Sequence, residues 1–197
     1  PQTGLKSLFA ENSLTVDNLS YRYPLSNKDT LKNVSFNIKP GQVIGLLGRI
    51  GSGKSTLVNG LNRYLDMGKG YIFVGKQDLA ELSDNDIRTC IRTVTQEPFL
   101  FSDTVENNIR FSEAIHESES PEHFRNILRS AAMEEEVGRF PEQEKTMVGE
   151  KGIMLSGGQK QRISLARAML KPCSLLILDN VLSAVDYETE SFLLKEI

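Results

Sequence analysis

The chain has 197 residues, 39% hydrophobic and 25% charged, with a formal net charge of −3. That is the make-up of a globular protein with one sizeable domain, or a domain plus an insert. No basic stripe stands out, which excludes a nucleic-acid surface, and no apolar run approaches the roughly 20 residues that span a bilayer. Cys90 and Cys173 sit far apart in no metal or redox spacing, and no secretory signal pattern is visible at the N-terminus, so both are expected to be reduced core thiols in a cytosolic setting.

Up to about Asn12 no apolar period is visible, and a linker or tail is expected there. Leu14, Val16, Leu19, Tyr21 and Tyr23 form a strand pattern closed by Pro24, and Asn27-Lys28-Asp29 is turn chemistry. A second strand is predicted from Leu31 to Ile38, and Pro40-Gly41 turns the chain into a third, Val43-Ile44-Gly45-Leu46-Leu47. This run leads into Gly48-Arg49-Ile50-Gly51-Ser52-Gly53-Lys54-Ser55-Thr56, after which Leu57, Val58 and Leu61 mark one face of a helix. Strand, glycine-rich loop and helix is the setting in which Gly-x-x-x-x-Gly-Lys-Ser means a phosphate-binding loop. Gly48, Gly51 and Gly53 let the backbone fold back with its N–H groups inward, and the positive end of the helix adds to the attraction for phosphate. Lys54 is expected to reach the β- and γ-phosphates as a mobile point charge, Ser55 to offer its hydroxyl to Mg²⁺, and Ser52 and Thr56 to complete the nucleotide-lining set.

Further on, Tyr71-Ile72-Phe73-Val74 reads as a short strand, and Ser83-Asp84-Asn85-Asp86 has capping-box form, predicting a helix with Ile87 and Ile91 inward. Val94 lies in a short strand leading to Gln96. Between Asp103 and Lys145 apolar residues recur at helical spacing (Phe124, Ile127, Leu128, Ala131) amid dense charge, so a helical insert is expected, with Glu134-Glu135-Glu136 and both histidines, His116 and His123, on solvated surface. From Ser156 a helix is predicted with Ile163, Leu165, Ala166 and Met169 buried. Ser156 is a good N-cap, and Gly157-Gly158 leave backbone N–H groups open at the helix N-terminus, a second anion-binding device. Ser174-Leu175-Leu176-Ile177-Leu178 reads as a buried parallel strand with Asp179 at the end where open α/β sheets bind ligands. That carboxylate is expected to hold Mg²⁺ through its water shell beside Ser55. A last helix is predicted from Tyr187.

Phosphate loop, Leu155-Ser156-Gly157-Gly158-Gln159 and the Asp-terminated strand, in this order and spacing, resemble the nucleotide-binding domain of an ATP-binding cassette (ABC) exporter, of the multidrug half-transporter kind, from about Ser13 onward. The resemblance implies an α/β fold: a P-loop NTPase (RecA-like) core with an N-terminal antiparallel β layer and an inserted helical subdomain at about 100–155. It implies a tail over 1–12 and one domain over 13–197. The family's switch histidine has no counterpart after Asp186, so truncation at the C-terminus is expected.

By the same resemblance, Tyr23 matches the aromatic that stacks on adenine, although Tyr21 shares its alternation and stays a rival. Gln96 matches the glutamine that ligands Mg²⁺ and water and senses the transmembrane domains. Thr146-Met147-Val148-Gly149-Glu150 resembles a loop seen in exporters, and Ser183-Ala184-Val185-Asp186 the loop that crosses to a second cassette. Ser156, Gly157, Gly158 and Gln159 would act in trans on ATP held by that partner cassette. The implied catalytic set is Lys54, Gln96 and Asp179. Asn180 occupies the place of the family's glutamate base and is either a natural or an engineered replacement. An amide orients water but does not take its proton near neutral pH. A site that binds ATP and Mg²⁺ but hydrolyses slowly is therefore expected, in a heterodimer rather than a homodimer, at the cytoplasmic face of a membrane. The alternatives are a regulatory ATP-binding module with little hydrolysis and a soluble non-transport ABC ATPase.

Overall fold

The computed structural model describes residues 11–111, 120–149, 152–181 and 185–196. The expectations for the tail before Glu11 and for His116, Glu150, Ser183 and Ala184 fall outside the described residues. The chain divides into two units, Pro1–Arg92 with Cys173–Ile177, and Thr93–Pro172 with Leu178–Ile197.

The first unit is built on an antiparallel sheet in the order β2-β1-β3-β4. β1 spans Leu14–Tyr21, β2 Leu31–Ile38, β3 Ile72–Val74 and β4 Gln77–Asp78. Leu14 faces Ile38 and Val74, and Val16 faces Phe36 and Ile72. The apolar spacing Leu14, Val16, Leu19 skips from two to three because the β1–β2 register shifts there. Asn18 and Asn33 both adopt the left-handed conformation, φ 48° and 49°, which asparagine tolerates better than most side chains. Serines on the facing strand take the displaced amides. Asn18 N–H donates to Ser35 Oγ at 2.8 Å and Asn33 N–H to Ser20 Oγ at 2.9 Å. The irregularity keeps Leu14, Val16 and Leu19 all buried, which strict alternation would not.

Helix α1 (Lys54–Leu61) packs Leu57 and Leu61 into the same core. Helix α2 (Asp84–Cys90) starts at the predicted cap, Ser83 Oγ accepting from Asp86 N–H, and buries Ile87. Ile91 opens strand β5 (Ile91–Val94) rather than extending that helix, as β-branched residues favour extended backbone. β6 (Leu175–Leu178) pairs with β5. The pairing is parallel, as predicted: Ser174 N–H donates to Cys90 O at 2.8 Å and Asp179 N–H to Val94 O at 2.9 Å, both strands advancing together.

Further expectations are corrected. Residues 43–47 form no strand: Val43 and Leu47 are 92% and 94% exposed, and no described strand pairs with them. A strand is defined by its ladder, and an apolar run without a neighbour has none. β6 is half-buried along its length instead of buried, having one neighbour strand. Cys173 is half-buried while Cys90 is buried, and both are free thiols.

In the second unit α3 (Val105–Arg110), α4 (Pro121–Ser130), α5 (Glu134–Gly138) and α6 (Gly157–Met169) surround a core of Val105, Ile109, Phe124, Leu128, Met133, Val137, Ile163 and Ala166. Leu165 is buried as predicted, whereas Met169 is half-buried at the last position of α6. His123 lies on the exposed face of α4, its Nε2 3.3 Å from Leu170 O. Helix α7 spans Tyr187–Glu196. Leu19 is fully buried in the first unit's core. Leu19→Ala is expected to lower stability by about 2–5 kcal/mol, read as a shift of the urea midpoint with unchanged slope; a change under about 1 kcal/mol would contradict this packing.

Candidate nucleotide-binding site

In the first unit the phosphate loop meets α1 at Gly53, which caps the helix in a left-handed conformation, φ 94°, without any side-chain bond. The opening N–H groups of α1 therefore have no side-chain acceptor, and the positive end of the helix is left for an anion. A side chain at Gly53 would be strained by that φ, and its Cβ would also stand 2.8 Å from Thr30 O. At Gly48 a Cβ would lie 2.5 Å from Ser52 Oγ. At Gly53 the loop can close only on bare backbone, whereas at Gly48 a Cβ would require the Ser52 side chain to move.

Lys54 folds back over the loop, its Nζ donating to Gly48 O at 2.7 Å and Arg49 O at 3.0 Å. A lysine bound only to neutral carbonyls keeps its full charge for a better acceptor. Ser55 is exposed on the first turn. Thr56 is buried, and its hydroxyl meets the Tyr23 hydroxyl at 3.2 Å. Tyr23 crosses Tyr21 edge to face, centroids 5.1 Å apart. Of the two tyrosines, Tyr23 is thus tied to the loop's helix, while Tyr21 packs on the core.

In the second unit Ser156 caps α6 in a reciprocal box: Gln159 N–H donates to Ser156 Oγ at 3.2 Å and Ser156 N–H to Gln159 Oε1 at 2.8 Å. A Cβ added at Gly157 would meet nothing within 4 Å, so this turn is open in front. Gln96 is exposed, and its carbonyl accepts from Gln161 Nε2 at 3.0 Å. Arg167 braces the residues that follow, donating to Phe99 O at 3.1 Å and Asn108 O at 2.7 Å. Burial lowers the Arg167 pKa. Asp179 is half-buried at the end of β6, and Asn180 next to it is exposed in the left-handed region, φ 54°.

Lys54 and Ser55 belong to the first unit, Gln96, Asp179 and the signature turn to the second, and each set stands as described within its own unit. The oxygen donors expected for Mg²⁺, the Ser55 hydroxyl, the Asp179 carboxylate and the Gln96 amide, are hard ligands of the kind that ion takes. No cluster of three or more His, Cys, Asp or Glu occurs among the described residues.

Sequence reasoning missed three residues. Gln161 sits at 5% exposure in one buried stripe with Leu165 and Ala168, so its signal was a polar residue at a core position of the helix. Arg167 carried no signal, because its acceptors are backbone carbonyls far along the chain. Glu136, read as part of a solvated face, is half-buried and bound to Gln159 and Arg162. Glu134 and Glu135 do pair at the surface, with Arg129 and Arg139.

Open helix N-terminus, glycine loop and lysine define a phosphate-binding α/β module of the P-loop class. The ABC transporter family profile matches residues 31–183, and the chain belongs to that family. It is 44% identical over 177 residues to the multidrug resistance-like ATP-binding protein MdlA of Escherichia coli K12, covering 90% of this chain and 30% of that protein. It is 42% identical to the ATP-dependent lipid A-core flippase of Pseudomonas fluorescens Pf0-1, covering 90% of this chain and 29% of that one. A bacterial Atm1-family ABC exporter with ATP bound is similar in structure, with TM-score 0.85 at 32% identity, over 94% of this chain and 32% of that chain. The chain spans about a third of the length of these relatives. The resemblance to the nucleotide-binding domain of an ABC exporter is thereby borne out, as is the α/β fold.

Asp186 caps α7: Thr189 donates its N–H at 2.9 Å and its hydroxyl at 2.8 Å to the carboxylate. These two bonds, the backbone one first, hold the Asp186 carboxyl below the ordinary aspartate value. A lowered folded pKa means that the cap is in place above the ordinary value and is lost as pH falls through the depressed one. An NMR titration of the Asp186 side chain is expected to give a midpoint below that of Asp in a peptide; an ordinary or raised midpoint would contradict the cap.

Proposed function

We propose that the chain is the ATP-binding motor cassette of an ABC exporter, working at the cytoplasmic face of a membrane beneath transmembrane domains. The uncapped N-terminus of α1, with Lys54 poised over Gly48 and Arg49, carries this reading. Gly48, Gly51, Ser52, Gly53, Lys54, Ser55 and Thr56 hold the triphosphate, and Tyr23 stacks on the base. Ser55, Gln96 and Asp179 hold Mg²⁺, which when bound neutralises phosphate charge and draws it off the bond to be broken. Ser156, Gly157, Gly158 and Gln159 serve the ATP of a second cassette. The likeness to MdlA, the lipid A-core flippase and the Atm1-family exporter favours export over the soluble alternative. No helix among the described residues is long and apolar enough to cross a membrane.

Lys54→Ala is expected to weaken binding of a fluorescent ATP analogue by at least tenfold without unfolding the domain. Unchanged affinity would remove the basis of the reading.

Asn180 at the base position makes this cassette's own site slow. A positioned base contributes about 10²–10⁴ in rate, roughly 3–5.5 kcal/mol. The signature turn is intact, so the chain fits best in a heterodimer whose partner cassette carries the glutamate. Asn180→Glu in the assembled transporter is expected to raise turnover at this site. It should also lower stability by on the order of 1 kcal/mol, because glutamate tolerates the left-handed backbone less well than asparagine. No gain in turnover would count against the slow-site reading and in favour of a purely regulatory ATP-binding module.

A further inference from the structure

The carboxylate of Glu136 is divided between two residues of the signature helix. Its Oε1 accepts from Arg162 Nη2, and its Oε2 accepts from Gln159 Nε2 at 2.9 Å. The other end of the Gln159 amide, Oε1, accepts from the Ser156 N–H. The three residues form one line: the Glu136 carboxylate, the Gln159 side-chain amide and the backbone N–H of the capping serine. The amide can face only one way along it. Reversed, its oxygen would point at a carboxylate oxygen and its NH₂ at the Ser156 N–H, with no acceptor on either side.

Two observations separate this arrangement from an ordinary ion pair. The strongest arginine–carboxylate pairs meet as a fork, with two bonds, as Arg129 and Glu134 do. Here Arg162 Nε is buried without a hydrogen-bond partner while the second carboxylate oxygen goes to Gln159. A capping box is also complete with its serine and glutamine alone. Glu136 therefore adds orientation to a cap that already has its two bonds. It does so at low exposure, 30% for its side chain and 11% for that of Arg162, where a charged hydrogen bond is stronger than in water.

We propose that Glu136 is a positioning residue for the signature turn. Its carboxylate pins the Gln159 amide, the pinned amide holds the Ser156 N–H and keeps the cap closed, and the N–H groups of Gly157 and Gly158, which have no acceptor within the helix, stay clear for phosphate. Without Glu136 the amide keeps only its bond to the Ser156 N–H, so it leaves that bond more readily and presents its own NH₂ at the mouth of the turn. This inference rests on the reading that the signature serves the ATP of the partner cassette.

The test uses the assembled transporter with both cassettes and reads ATPase kcat together with fluorescent-ATP affinity at this chain's own loop. Glu136→Ala is expected to lower kcat about tenfold, the scale of one charge-assisted hydrogen bond, and to leave that affinity unchanged. Glu136→Gln is expected to restore kcat to within about twofold, because an amide oxygen still accepts from Gln159 Nε2 although the charge facing Arg162 is gone. An unchanged kcat in Glu136→Ala overturns the proposal. So does a Glu136→Gln variant as slow as Glu136→Ala, which would assign the role to the ion pair. If Glu136→Ala does not assemble, Glu136→Met keeps the side-chain volume and carries the same comparison. Ser156→Ala is run in parallel. If it is slow while Glu136→Ala is not, the role of Glu136 alone is overturned; if it is as fast as the parent, the trans reading falls and this inference with it.

Discussion

A helix that begins without a side-chain cap is the constraint on which this cassette depends. The first N–H groups of any α-helix lack partners inside it, and most helices assign a serine, threonine or aspartate to them. The chain does so at Ser83, Thr104, Ser120 and Ser156. At α1 it places Gly53, with a left-handed backbone and no side-chain acceptor. The local stability given up there is of the order of a lost cap, about 1 kcal/mol, and it leaves a set of donors aimed at an anion. Lys54 offsets the open loop by bonding to two of its carbonyls, contacts weak enough to yield to a phosphate.

The signature turn solves a related problem in the opposite way. Its helix is fully capped, with box and serine both satisfied, and what remains for a ligand is the pair of glycine N–H groups between the two members of the box. The bonds from Gln161 to the Gln96 carbonyl and from Arg167 to Phe99 tie the same helix to the loop after β5. Movement of that loop and movement of the signature helix are then mechanically linked within one unit.

Asn180 reconciles a local preference with a chemical deficit. Its backbone lies at φ 54°, a conformation asparagine accepts readily. The amide that eases the turn is also the group that takes no proton.

Local chemistry made much of the protein legible before any coordinates. The glycine spacing and Lys54 marked the phosphate loop, and Ser156 with Gln159 marked a capped helix, since each rests on contacts within a few residues; the apolar spacing in β1 marked its buried face. The even apolar run at 43–47 misled, because a strand exists only through its neighbours and the sequence of one segment does not state who pairs with it. Tertiary structure alone decided that Tyr23 rather than Tyr21 reaches the helix of the loop, that Gln161 and Arg167 hold carbonyls about 60 residues away, and that one glutamate of an acidic run turns inward to the signature. These are long-range hydrogen bonds, and in the sequence such residues look like any other polar side chain, because what selects them is the position of an acceptor brought close only by folding.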